Sequence, residues 1–256
     1  MPAAYHFSMH MHLTILTGAS RGLGAAMAEQ LLKHGHRLLT ISRHTADLWV
    51  VQGADLEQWP VDLADPAPVA DRLEAWLRTQ ELPSPASVTL INNAAVVSPP
   101  VPLSGSQRSD LTQVLRVGLE APMLLTAAFL RATHGWNAPR RVLFISSGLG
   151  RRAMASSAPY CAAKAGLDHL ARALALEEAT QPHGAKVVSL APGVIDTDMQ
   201  VQLRSADPGL FPDRERFVAL HAAGQLDSPA QAAAKVLAYL ARPDFGAQPV
   251  ADVRDA

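Results

Sequence analysis

The chain runs from the apolar segment LTIL (13–16) through TGASRGLG (17–24) into AAMAEQLLKHG (25–35). This order of strand, glycine turn and helix constrains the fold more than any other feature of the sequence. Gly18 permits a tight turn, while Gly22 and Gly24 let backbone approach a phosphate at the positive end of a helix. The spacing departs from G-x-G-x-x-G, and a glycine-rich turn also serves as a plain helix cap, so the loop alone leaves both readings open. Further apolar runs follow at RLLTIS (37–42), WPVDL (59–63, the end of a strand), VTLI (88–91), 142–145, VVSL (187–190) and near Val250. Helical stretches separate them. Leu111, Val114, Leu115, Leu119, Leu124 and Leu125 give helical periodicity to 107–134, which Pro122 should bend, and further helices are expected over 158–179 and 229–240. Strands alternating with helices predict one α/β domain over residues 1–256. Its core is a doubly wound parallel sheet of about seven strands, with the ligand crevice at their carboxyl ends.

Chemistry concentrates in ISSGLGRRAMASSAPYCAAK, residues 145–164. Pro159 suits a first helical turn with Ser156 or Ser157 as cap, which places Tyr160 and Lys164 four residues apart on one face. A phenol with its ordinary pKa near 10 is a poor proton donor or acceptor at neutral pH. An ammonium at about 4 Å, with an effective dielectric near 20, interacts by about 4 kcal/mol and would lower that pKa by a few units at most. Ser147, at the end of a buried strand, is placed to hold a carbonyl oxygen. Tyr-x3-Lys by itself also fits a solvated helix face.

Cofactor choice is read at the end of the second strand. An NAD enzyme carries an acid there for the adenosine ribose. Here stand Ser42 and Arg43, and the next acid, Asp47, comes several residues late. Arg43 and Arg21 are suited to a 2′-phosphate, which favours NADP(H). Asp62 is placed to reach adenine, although Asp62 or Asp65 also suits a helix cap. NNAA (92–95) fits a loop passing close to a ribose. The Gly loop, Asp62, Asn93, Ser147 and Pro192 all fall at strand ends. Residues 200–228, polar and broken by Pro208 and Pro212, read as a mobile substrate lid.

Net charge is −1 without a sustained basic run, so the footprint of a nucleic-acid binder is missing. The single Cys161 excludes an internal disulfide and reads as an inert buried thiol. No apolar run reaches about 18 residues, which argues against a membrane span, and MPAAYHFSMHMH lacks the regions of a signal peptide. The cytoplasm is the default expectation. Residues 1–11 read as a flexible terminus. His6, His10 and His12 lack companions at ligand spacing, so no metal is expected. The helices at 107–134 and 158–179 are apolar over more than one face, which predicts a homodimer or homotetramer.

TGASRGLG, Asp62, NNAA, Ser147 with Tyr160 and Lys164, and PGVIDT (192–197), in this order, resemble the short-chain dehydrogenase/reductase family over almost the whole chain. Within it, YCAAKAG, ALALEE, PGVIDTDMQ and the tail from Phe217 to Asp255 are most similar to the sepiapterin reductase and bacterial benzil reductase branch. The resemblance implies a Rossmann-type fold and NADPH-dependent reduction of a small-molecule ketone or diketone. Tyr160 would give the proton, Ser147 position the oxygen, and Lys164 tune Tyr160 and hold the nicotinamide ribose. It further implies dinucleotide contacts from Gly18, Ser20, Arg21, Gly22, Leu23, Gly24, Ser42, Arg43, Asp62, Leu63, Asn93, Ala94, Pro192, Gly193, Val194 and Thr197, the last at the nicotinamide amide. Leu149, Met154, Met199 and Asp252 would meet substrate, with Asp252 as the acid that anchors a pterin. Two positions depart from the family: Ala95 replaces a glycine, and Gly118 replaces the asparagine that orders a water near the lysine. Two alternatives therefore stand beside the carbonyl reductase, a 3-oxoacyl thioester reductase and a catalytically weak NADP-binding sensor or interaction protein.

Overall fold

The computed structural model describes residues 11–80 and 85–255. His6, His10 and nearly all of the expected flexible terminus lie outside the described residues. The seven strands are β1 (His12–Thr17), β2 (His36–Ser42), β3 (Asp55–Pro60), β4 (Ser87–Asn92), β5 (Arg140–Ile145), β6 (Lys186–Ala191) and β7 (Val250–Asp252). All pair in parallel, in the order β3-β2-β1-β4-β5-β6-β7. The strand order reverses between β1 and β4, which opens the crevice expected of a doubly wound sheet.

Buried on both faces, the inner strands read as largely apolar runs because alternate side chains enter different cores, whereas the edge strand β3, DLEQWP, buries only Trp59 and ends at Pro60, short of the expected 63. Leu13, Ile15, Val88, Leu90, Val142 and Phe144 meet α2 (Pro66–Arg78), α4 (Ala121–Ala132) and α5 (Ala158–Ala179). Leu16, Ile91, Leu143, Ile145, Val188 and Leu190 meet α1 (Gly22–Leu31) and α8 (Pro229–Leu240). A Ser228–Gln231 capping box and Pro229 in the first turn start α8 where the sequence places it.

The long helix expected at 107–134 is interrupted by more than a bend at Pro122. α3 (Arg108–Leu115) passes into a π turn at Arg116–Glu120, which contains Gly118, and Pro122 sits in the first turn of α4. A proline nitrogen has no hydrogen to donate back to the carbonyl four residues earlier, and the wider π turn absorbs that missing bond. The stretch Arg108–Ala132 is long and apolar enough to cross a membrane by length and composition, with mean hydropathy 1.3 over its most apolar 18 residues. It is a core helix here: Val114, Val117, Ala121, Leu125 and Phe129 are buried in the domain.

Two local expectations change. Neither serine caps α5 by its side chain: Ser157 occupies the cap position without a side-chain bond, and Ser156, at φ +57°, donates its hydroxyl to Leu210 O at 2.6 Å. Cys161 is half-buried rather than buried, since its place on α5 turns it off the core stripe. About half of residues 200–228 fold into α6 (Asp198–Arg204) and α7 (Arg214–Ala222), and the fully buried Phe211 stacks on Phe217 with ring centroids 5.7 Å apart.

Candidate active site

The glycine turn is fixed by backbone geometry. Gly18 (φ +70°) and Gly22 (φ +55°) occupy the left-handed region. A Cβ on Gly24 would lie 1.9 Å from Gly18 O, so α1 starts against its own approach loop. Three side chains lock this arrangement. The Ser42 hydroxyl accepts from Ala19 N at 2.7 Å, Thr17 Oγ1 accepts from Asn93 N and Ala94 N, each at 2.9 Å, and Asn93 Nδ2 donates to Thr17 O and Gly18 O, each at 3.0 Å. Sequence reading missed Thr17; a hydroxyl closing a strand just before a glycine turn was the available signal. It read Ser42 as a dinucleotide contact and as the absence of an acid, and did not foresee its bond to the turn. The structure gives that buried hydroxyl a bond that ties β2 to the turn.

A cavity of about 450 Å³ lies over this turn, lined by Gly18, Ser20 to Gly24, Ser42, Arg43, Asp62, Leu63, Asn93, Ala94, Thr197 and Met199. Helix α1 begins there with neither a side-chain cap nor an acid in its first turn, which leaves the positive helix end to an anionic ligand. Arg43 faces the cavity at the end of β2. Arg21, also on its wall, is exposed and pairs with Asp198 at 2.8 Å, so it must exchange partners to meet a phosphate. Asp62 accepts from Ala64 N at 2.9 Å, and Asp65 precedes α2 without a side-chain cap bond. These residues fit a dinucleotide: glycine backbone and a free helix start for the pyrophosphate, cations at β2, and no acid there for a ribose.

A second cavity of about 230 Å³ adjoins the first through Leu23, Asn93, Ala95, Thr197 and Met199. It holds Ser147, Tyr160 and Lys164 together with Pro192, Gly193 and Val194, and Leu149, Met154 and Met199 form part of its wall. Ser147 sits just past β5, and its hydroxyl accepts from Leu149 N at 3.2 Å. Lys164 is buried, donates from Nζ to Ile145 O at 2.7 Å, and lies 5.5 Å from the Tyr160 ring centroid.

The electrostatics differ from the expectation of a lowered phenol. Desolvation pushes Tyr160 up to about 12, outweighing the lowering influence of the nearby Ser147 hydroxyl. Desolvation also brings Lys164 down to about 8, opposed by the Asp168 carboxylate one helical turn away. With its hydrogen bond committed to Ile145 O and its charge itself disfavoured by burial, the ammonium does not offset what burial costs the phenolate. Sequence reading missed Asp168. Its Oδ1 accepts from Ser146 Oγ at 2.6 Å and Ser189 Oγ at 2.7 Å, joining the ends of β5 and β6 to α5 directly behind Lys164.

Asp252 does not line either cavity. It is buried and bidentate to Arg254, with Nε–Oδ1 at 2.8 Å and Nη2–Oδ2 at 2.6 Å, and Arg151 lies 3.7 Å away. Arg254 and Phe217, neither chosen from sequence, stand on the wall instead. Gly118 lies in the π turn, where an added Cβ would meet that of Ala163 at 3.3 Å, so an asparagine there would press on the helix that carries Lys164.

A model of short chain dehydrogenases matches residues 12–208. The chain belongs to that family. As a short chain dehydrogenase it is an oxidoreductase whose family uses a nicotinamide cofactor, and whose reductases act on small-molecule carbonyl compounds. It is 32% identical over 239 residues to a benzil reductase ((S)-benzoin forming) of Bacillus cereus, covering 92% of this chain and 96% of that one. It is 34% identical over 253 residues to sepiapterin reductase of Rattus norvegicus, covering 90% and 92%. A solved short-chain dehydrogenase/reductase from Burkholderia vietnamiensis shares 33% identity at a TM-score of 0.64, covering 96% and 99%.

Proposed function

We propose that this short chain dehydrogenase reduces a ketone or diketone to an alcohol with NADPH. One observation carries the reading: Ser147, Tyr160 and Lys164 face a cavity that opens into the glycine cradle. When bound, the reduced nicotinamide supplies the hydride for the carbonyl carbon. Ser147 donates a hydrogen bond to the carbonyl oxygen and holds it beside Tyr160. Tyr160, with a pKa near 12, enters protonated at neutral pH, as a proton donor for reduction must. As charge develops on oxygen, the phenol gives up its proton, and Lys164 stabilises the phenolate left behind. Similarity over nine-tenths of the chain to the benzil and sepiapterin reductases supports a dicarbonyl or pterin-like ketone.

NADPH is favoured over NADH because Arg21 and Arg43 flank the end of β2 and Ser42 offers no carboxylate. We place the enzyme in the cytoplasm as a homodimer or homotetramer, joined through the helices that expose Leu115, Met123 and Leu176. A monomer by light scattering at micromolar concentration would contradict that assembly.

The test follows NADPH absorbance with diketones, quinones, sepiapterin and acetoacetyl thioesters. Diketone turnover is the expected result. Best activity on the thioester would make the enzyme a 3-oxoacyl reductase, and NADPH binding without turnover across the panel would make it a sensor, with Gly118 as the first position to restore.

A further inference from the structure

The second cavity is lined by Arg152, Lys164 and Arg254 and by no aspartate or glutamate. Lys164 belongs to the reaction. Arg152 follows the turn Gly148–Gly150, is exposed, and makes no ion pair among the described residues. A Cβ on Gly148 would lie 3.8 Å from its Nε, so the guanidinium stem passes over the residue next to Ser147. Arg254 stands at the same wall with a side chain 61% exposed, whereas its partner Asp252 is 6% exposed and turned inward. The carboxylate fixes the fork of Arg254, which lines the cavity with its charge already paired. Leu149, Met154, Leu203 and Phe217 supply the apolar part of the same wall.

An apolar pocket with a few convergent polar groups selects its ligand by those groups. Here, beside neutral groups such as Ser98 and Gln200, the charged ones outside the reacting trio are guanidiniums, Arg152 without an ion pair among the described residues and Arg254 paired to Asp252, and a guanidinium matches a carboxylate by two parallel hydrogen bonds. We infer that the preferred substrate is a carbonyl compound with an apolar body and a carboxylate or other anionic group, recognised by Arg152 with Arg254 beside it. The inference rests on the reductase reading and narrows its substrate class. It reverses the polarity expected when Asp252 was read as the substrate contact: the site offers guanidinium where an acid was expected.

The test compares 2-oxo-2-phenylacetate and 4-oxo-4-phenylbutanoate, each against its methyl ester, with NADPH and the full-length chain. The wild-type enzyme should show a higher kcat/KM for at least one acid than for its ester. Arg152→Leu should lower that acid-to-ester ratio about tenfold, equivalent to about 1.4 kcal/mol. Arg152→Lys, which keeps the cation and loses the fork, should retain part of the preference. Arg152 is the cleaner position, because Arg254→Leu would leave Asp252 buried without its partner. Esters turned over as well as both acids by the wild type, or a ratio unmoved in Arg152→Leu, would overturn the inference and leave the reductase reading intact. No turnover of acids, esters or benzil would overturn the reductase reading and this inference with it.

Discussion

The two halves of the cleft are built by different means. Over the glycine turn, the wall is backbone held at conformations and separations that only glycine allows: Gly18 and Gly22 at positive φ, and Gly24 against Gly18 O. Around Tyr160 the wall is mostly side chains gathered from distant stretches, among them the loop after β4, the end of β5, the start of α5, the segment after β6, α6 with α7, and the C-terminus. A backbone wall tolerates almost no change of residue type. A side-chain wall exchanges residues one at a time, so the first half preserves a cofactor and the second sets a substrate.

Substitutions sharpen that contrast in decreasing order of effect. Gly24→Ala forces a Cβ into a carbonyl oxygen, and relief requires the backbone to move. NADPH affinity by calorimetry should fall beyond about a hundredfold, with about 1–3 kcal/mol lost from unfolding in urea. Near-normal affinity would show that the turn relaxes and the backbone account is wrong. Arg43→Leu, a side-chain change in the same half, should weaken NADPH about tenfold and NADH much less, since one charge-assisted contact to the 2′-phosphate contributes about 1.5–3 kcal/mol. Equal losses for both cofactors would remove the NADP argument. Asp at position 42 is a poorer probe, because Ser42 is buried and bonded to Ala19 N. In the other half, Phe217→Ala should raise KM only a few-fold, with kcat nearly unchanged.

A pH profile probes the coupling between Asp168 and Lys164. With Lys164 near 8 and Tyr160 near 12, the ammonium is lost before the phenol as pH rises. Reduction that needs Lys164 charged should therefore be full below about pH 7 and decline through about pH 8. Asp168→Asn removes the charge that raises the lysine and should move this alkaline limb down by about one unit. A limb unmoved by Asp168→Asn would assign it to another group.

Legibility in the sequence follows the same division. The inner strands were readable because burial on both faces leaves largely apolar runs, and α8 because Pro229 opens an apolar helical stretch; the edge strand β3 was placed late, since only Trp59 of it is buried. Ser147, Tyr160 and Lys164 were readable because local spacing brings them together. Thr17, Asp168 and Arg254 were not, since each acts through partners far off in sequence: Thr17 on Asn93, Asp168 on Ser146 and Ser189, Arg254 on a cavity assembled by the whole fold. The sign of the Tyr160 shift was missed for a related reason. Spacing shows that a lysine is near, but desolvation depends on everything packed around the pair.

The central claim is that Tyr160 gives the proton in a cleft that binds NADPH through separate groups. Tyr160→Phe keeps the ring and removes only the hydroxyl, so kcat/KM for a diketone and the Kd for NADPH should be measured together. The account predicts a loss of about 10²–10⁴ in kcat/KM with Kd changed less than about twofold. A variant that keeps most of its kcat/KM would contradict it.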